Sequence, residues 1–203
     1  RLAFGSVIGE RWWYLLRGYE IDLPETRRRS LGHSHVLPPN LRTREGSRLV
    51  LMRLISKAAA RMRSLDLAAG EMSLYVKCHC ESWKCHTRIE ATNQTQLILK
   101  FFEEMWEQAR VFRPKAVGVS FSRLVPVTGV TPSLFSDYRD TRRLDAAIDD
   151  VNNRFGKNSV YLASVEKVKD TASEKIAFQK VDLFSEGRGD NEWPDPFRGV
   201  RSD

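Results

Sequence analysis

The stretch Glu71–Ala91, EMSLYVKCHCESWKCHTRIEA, decides the fold. Residues 71–80 and 83–91 alternate apolar and polar side chains on either side of Glu81-Ser82, which predicts a β-hairpin. Neighbours along a strand point to opposite faces. Leu74, Val76, Cys78 and Cys80 are therefore expected on one face, with Cys85, Thr87, Ile89 and Ala91 of the second run. Tyr75, Lys77, His79 and Glu81 fall on the other, with Lys84, His86, Arg88 and Glu90.

Helical patterns flank the hairpin. Upstream, Thr43 is placed to cap a helix running to about Ser64, with Leu49, Met52, Ile55, Ala59 and Met62 as its buried stripe. Downstream, Asn93 is placed to cap a helix running to about Phe112, with Leu97, Phe101, Met105 and Trp106 inward. Beyond these lie two more strand-like runs, SLGHSHV at 30–36, stopped by Pro38 and Pro39, and KAVGVSFSRLV at 115–125. The order strand, helix, strand, strand, helix, strand predicts an α+β fold. It is a four-stranded split β-α-β sheet with two helices on one face and the other face free.

The ends are simpler. Residues 4–17 read as a helix closed by Gly18, and 19–29 as an extended basic linker ending in Arg27, Arg28 and Arg29. A loop over 126–140 leads to an amphipathic helix at 141–155, with Leu144, Ile148, Val151 and Phe155 apolar and Gly156 as its cap. VYLAS at 160–164 is strand-like. Past about residue 166 the pattern is charged and aperiodic, apart from apolar IAF and VDLF within 176–184.

Charge is concentrated in the centre. The 203 residues carry a net +7, yet residues 26–128 alone hold 18 basic against eight acidic residues, a net +10. A basic block of this size points to a polyanion, most often a nucleic acid. The free face of the sheet is expected to show Lys77, Lys84 and Arg88, with His79 and His86 among them. The last strand adds small Gly118, Ser120 and Ser122, which let a sugar-phosphate backbone approach closely. Lys115 at its start and Arg27 to Arg29 on the linker complete the cationic set.

Other chemistry finds less support. Cys78, His79, Cys80, Cys85 and His86 crowd five metal-type ligands into nine residues. Zinc needs four that converge. Strand alternation sends the cysteines to the core side and the histidines away, so no metal site is expected. The pairs Glu103-Glu104 and Asp149-Asp150 read as solvated helix faces, and no nucleophile elbow, phosphate loop or HExxH occurs. No catalytic residue is assigned. No apolar run approaches the roughly 18 residues of a membrane span, and no secretory leader is expected. His33 and His35 are left without an assigned face.

Arg29-Ser30-Leu31-Gly32-His33 after the basic linker, the split unit, and Ala116-Val117-Gly118-Val119-Ser120-Phe121-Ser122 together resemble the little-finger domain of Y-family translesion DNA polymerases. Ala147-Ile148-Asp149 and Asn152-Asn153-Arg154-Phe155-Gly156 resemble the segment after that domain in bacterial members, and FGSVIGERWWYLLRGYEI at 4–21 resembles the last helix of their thumb. The resemblance covers about residues 1–166 and implies a thumb end 1–18, a linker 19–29, a little finger 30–128 and a helical extension 129–166, while the charged, aperiodic 167–203 is expected to be a flexible tail. It implies duplex primer-template DNA as partner, lying across the little finger, and adds Ser30 and Gly32 to the DNA-binding set. It also implies a cytoplasmic, nucleoid-associated protein acting in DNA repair. The polymerase's palm, whose acidic residues hold two magnesium ions, precedes the thumb. The chain opens at Arg1 without Met, so it is expected to be a piece that binds DNA, needs no cofactor and does not polymerise.

Bacterial members also carry a sliding-clamp peptide. Ser133, Leu134 and Phe135 occupy its usual place, and Gln179, Asp182, Leu183 and Phe184 form a second version. Two rival functions remain at this point. One is a split β-α-β RNA-binding module, stacking bases on Tyr75 and Trp83. The other is a clamp- or protein-interaction module whose basic face is incidental.

Overall fold

The computed structural model describes residues 7–19, 29–130, 141–156 and 158–171. All belong to the first of two compact units, residues 1–172, and the second, 173–203, lies outside the described residues. Arg27, Arg28, Ser133, Leu134, Phe135, Gln179, Asp182, Leu183 and Phe184 lie outside them too.

The elements run α1 (Val7–Leu15), β1 (Ser30–Val36), α2 (Arg44–Arg63), β2 (Leu67–Cys78), β3 (Trp83–Thr92), α3 (Thr95–Glu107), β4 (Pro114–Pro126) and α4 (Arg142–Phe155). The strands lie in the order β1-β4-β2-β3, and every neighbouring pair is antiparallel. β4 therefore separates β1 from β2, and β2 separates β3 from β4. These are two interlocked split β-α-β units, with α2 crossing in one and α3 in the other, as the element order predicts.

Register confirms most of the sorting by parity. Met72, Leu74, Val76 and Cys78 of β2 and Val117, Val119 and Phe121 of β4 are buried under the helices. The alternation breaks at Arg123, which adopts a left-handed φ of +52° opposite Gly70. A left-handed residue turns β4 over, so Leu124 meets the core beyond it although its parity is wrong, and Ala69 does the same where β2 shifts register against β3. Cys80 is a correction. β2 ends at Cys78, and Cys80 is exposed in the loop to β3, while Cys78 is buried and Cys85 packs at the core margin.

Thr43 caps α2 as expected, its Oγ accepting from the Gly46 amide at 2.9 Å. The stripe expected on α2 is too narrow. Val50, Leu51, Leu54 and Ala58 are also buried, because α2 is covered by the sheet, by α3 and by the turn at 163–168. Gly46 sits where the preceding turn crosses, and a Cβ there would lie 2.5 Å from the Leu41 carbonyl oxygen. Alanine normally favours a helix by about 1 kcal/mol over glycine. Gly46→Ala is expected to reverse that sign and destabilise by about 1–3 kcal/mol, because backbone must move. Urea unfolding of the two proteins checks this; a more stable variant would refute the close approach.

α3 is capped differently from expectation. It ends at Glu107 rather than Phe112, and its inward set is Ile98, Leu99, Phe102, Met105 and Trp106, with Leu97 and Phe101 only half-buried. Asn93 instead donates through Nδ2 to the Leu67 carbonyl at 3.1 Å. The Thr95 amide donates to Asp145 of α4 at 3.0 Å, and Gln94 Oε1 accepts from the Thr141 amide at 3.0 Å. The N-termini of α3 and α4 thus cap each other. Each places a side-chain oxygen where a helix has unpaired N–H groups.

α4 also docks by another face than its apolar stripe. Leu144 is 51% and Phe155 68% exposed, whereas Asp145 is 3% exposed. Asp149, expected on a solvated face, pairs with Arg63 at 2.5 Å, and Glu103 pairs with Arg48 at 2.6 Å. VYLAS forms no strand. Asn152 holds the Val160 backbone through both its side-chain groups, at 2.9 and 3.0 Å, and Ala163–Val168 forms a 3-10 turn. Val165 and Val168, three residues apart, eclipse in that geometry and bury against α2. At the other end, α1 closes with Gly18 at φ +76°, the Gly18 amide bonding to Leu15 and the Tyr19 amide to Tyr14. That is a Schellman closure, as Gly18 suggested.

Candidate nucleic-acid interface

Three rows of side chains cross the sheet face opposite α2 and α3 in the order β1, β4, β2, β3. They are Ser30–Ser122–Glu71–Arg88, Gly32–Ser120–Ser73–His86 and Ser34–Gly118–Tyr75–Lys84. A shorter row, Val36–Ala116–Lys77, ends at β2. Residues directly opposite in an antiparallel pair share a face, so register alone sets this arrangement.

The face has a gradient. The β1–β4 side is a floor of glycine and serine, and the β3 side is a wall of Lys84, His86 and Arg88. The floor is close-packed: a Cβ on Gly32 would lie 2.8 Å from the Val119 carbonyl oxygen, and one on Gly118 3.3 Å from Ser34 Cβ. Together these residues line a shallow depression of about 620 Å³ that includes Gly32, Ser34, Ser73, Tyr75, Lys84, His86, Gly118 and Ser120. Lys84 Nζ stands 5.6 Å from the centre of the Tyr75 ring, so the wall folds partly over the floor. Lys77, Lys84, His86 and Arg88 are all exposed. Glu71 opposes Arg88 and tempers the charge at one end.

Of the residues expected at this face, Ser30, Gly32, Lys77, Lys84, His86, Arg88, Gly118, Ser120 and Ser122 lie together on it. Arg29 is exposed just before β1. Two fall outside the rows. His79 is in the loop after β2, where parity no longer applies. Lys115 occupies a bulge, since Lys77 pairs with Ala116 but Cys78 with Pro114, and its carbonyl accepts from the Leu37 amide at 2.8 Å. Ser34 and Ser73 join the floor without having been singled out. Their parity with Gly32 and Tyr75 is the signal that could have found them. His33 and His35 sit opposite Val119 and Val117, on the helix-covered side.

β2 and β4 are paired on both sides, so their N–H groups serve mainly the ladder. Serine hydroxyls and cationic heads are therefore the groups that remain for an anion. Trp83, an aromatic counted for base stacking, instead faces the helices, its ring 5.9 Å from that of Trp106. Among the described residues no three His, Cys, Asp or Glu side chains gather to hold a metal ion. No described helix is long and apolar enough to cross a membrane.

These features define an α+β domain that presents an open, cationic sheet face floored by small residues. Comparison with known proteins makes the assignment particular. A family model described as the impB/mucB/samB family C-terminal domain matches residues 28–134, and the chain belongs to that family. DNA polymerase IV of Moorella thermoacetica is 28% identical over 141 residues, covering 66% of this chain and 35% of that protein. DNA polymerase IV of Pelotomaculum thermopropionicum is 27% identical over 143 residues, covering 68% and 35%. The chain thus spans about a third of the length of these relatives, 35% in each. A solved Y-family DNA polymerase chimera, Dbh-Dpo4(243-245)-Dbh, covers 60% of this chain and 36% of its own at 14% identity and a TM-score of 0.42.

Proposed function

We propose that the open sheet face grips duplex DNA by its sugar-phosphate backbone, without reading base sequence, as the C-terminal domain of a translesion DNA polymerase. The observation that carries this is the row arrangement: a Gly/Ser floor beside a Lys84–His86–Arg88 wall on the face opposite α2 and α3. Small residues admit the backbone, and the cations neutralise phosphates along it. The relatives named DNA polymerase IV support the choice of DNA over RNA, and so does a face that offers Tyr75 but not Trp83 for stacking. Nucleotidyl transfer with two magnesium ions belongs, in this proposal, to a palm outside this sequence. A sliding clamp is the protein partner, reached through one of the Leu-Phe segments.

Salt dependence tests it. Neutralising about four to six phosphates gives a slope of log affinity against log salt near −3.5 to −5.5. Fluorescence anisotropy on labelled duplexes of unrelated sequence should return that slope and similar affinities. A slope near zero would overturn the proposal.

A further inference from the structure

We propose that the α3–β4 connection is a stacking site for an unpaired DNA base, with Phe112 as its platform. This rests on the duplex-binding reading, because it places single-stranded DNA beside the gripped duplex. Phe112 is 69% exposed, and the Arg113 guanidinium lies 5.4 Å from its ring centre. Such a ring on a loose loop would mean little, but this one is held. On one side Ala109 is 6% exposed and Val111 packs on the core. On the other, buried Pro114 pairs with Cys78 of β2. Between these anchors Arg113 adopts a left-handed φ of +46°, which an arginine takes only when its surroundings enforce it. The result is an aromatic pinned toward solvent instead of folded inward.

Its surroundings suit a polyanion. Residues 108–115, QARVFRPK, contain Arg110, Arg113 and Lys115 and no acid, with Glu107 just before them. The segment enters the sheet where Ala116 shares a row with Lys77 on the open face. Phe112 and Ala116 are four positions apart in the chain, about 13 Å when extended. A strand leaving the duplex on the open face would thus meet the platform within a few nucleotides. Rings flanked by arginines bind single strands because every base offers a π-face, so the site should tolerate sequence.

The test compares binding of the chain and its variants to three probes: a blunt duplex, the same duplex with a single-stranded overhang, and the overhang strand alone. Phe112→Ala should weaken overhang binding roughly 5- to 150-fold, the span of aromatic–base stacking, and leave the blunt duplex unchanged. Phe112→Tyr should bind like the parent, and Phe112→Leu should fail like alanine. Equal loss on blunt and overhang duplexes, no loss on either, or full activity of the leucine variant would overturn the proposal. If the parent ignores the blunt duplex yet binds the single strand through Phe112, the platform stands and the duplex reading falls. If the parent binds no probe, both fall. Thermal melting should show the alanine variant folded, since the ring buries little.

Discussion

Arg63→Ala is expected to cost about 3 kcal/mol and to lower the melting temperature by roughly 6–12 °C in a unit of this size. Arg63 ends α2 and gathers four neighbours. Its Nε and Nη2 donate to the two carboxylate oxygens of Asp149 at 2.5 and 2.9 Å. Its Nη1 donates to the Asn93 carbonyl and to Thr95 Oγ1, both at 2.9 Å, and lies 3.7 Å from Asp145. The guanidinium thus ties α2, the start of α3 and α4 together at one point. Without it, the Asp145 carboxylate stays buried with the Thr95 amide as its remaining partner among the described residues, and Asp149 loses its pair. Removing one partner of such a network is costly because the other charge remains desolvated. Asp149 keeps some solvent contact, its side chain 24% exposed, which places the cost at the lower end for buried pairs. Arg63→Lys should rescue little, since an ammonium cannot make the two-pronged contact. A melting temperature unchanged in Arg63→Ala would show that α4 is held by something else.

The second large effect concerns binding. Lys84→Glu/Arg88→Glu should weaken duplex DNA binding by roughly 60-fold or more near 0.1 M salt and reduce the salt slope by about two. The estimate follows from counterion release: each lost phosphate contact removes about 0.9 from the slope, hence nearly a decade of affinity between 1 M and 0.1 M. The new carboxylates add repulsion. Both residues are exposed, so folding should survive. Arg61→Glu/Arg143→Glu makes the same change in net charge on α2 and α4, and should shift affinity far less. Equal losses in the two doubles would mean that overall charge, and not the open face, attracts DNA.

Both predictions draw on the sequence unevenly. The Lys84, His86 and Arg88 wall was legible in residues 71–91, because a strand repeats every two residues and each side chain's face follows from counting. The same counting placed Ser120 and Ser122 beside Gly118. It failed at Arg123, where a single left-handed residue turned the strand over, and at Lys115, where a bulge inserted one residue. Neither event has a mark in local composition, since both answer to how β2, β3 and β4 fit one another. The Arg63 network was illegible for a related reason. Asp149 reads as a solvated acid by its neighbours, and only a helix 86 residues away in sequence makes it a partner.

Periodicity and capping residues alone determined the strand and helix order, the hairpin, the Thr43 cap and the cationic side of β3, because these depend on neighbours within a few positions. Tertiary structure alone decided that Asp145 and Gln94 exchange caps between helices, that α4 docks by its acids and leaves Leu144 and Phe155 outside, and that Ser34 and Ser73 complete the floor. Those outcomes depend on groups far apart in the chain meeting within about 3 Å, a distance that local pattern does not encode.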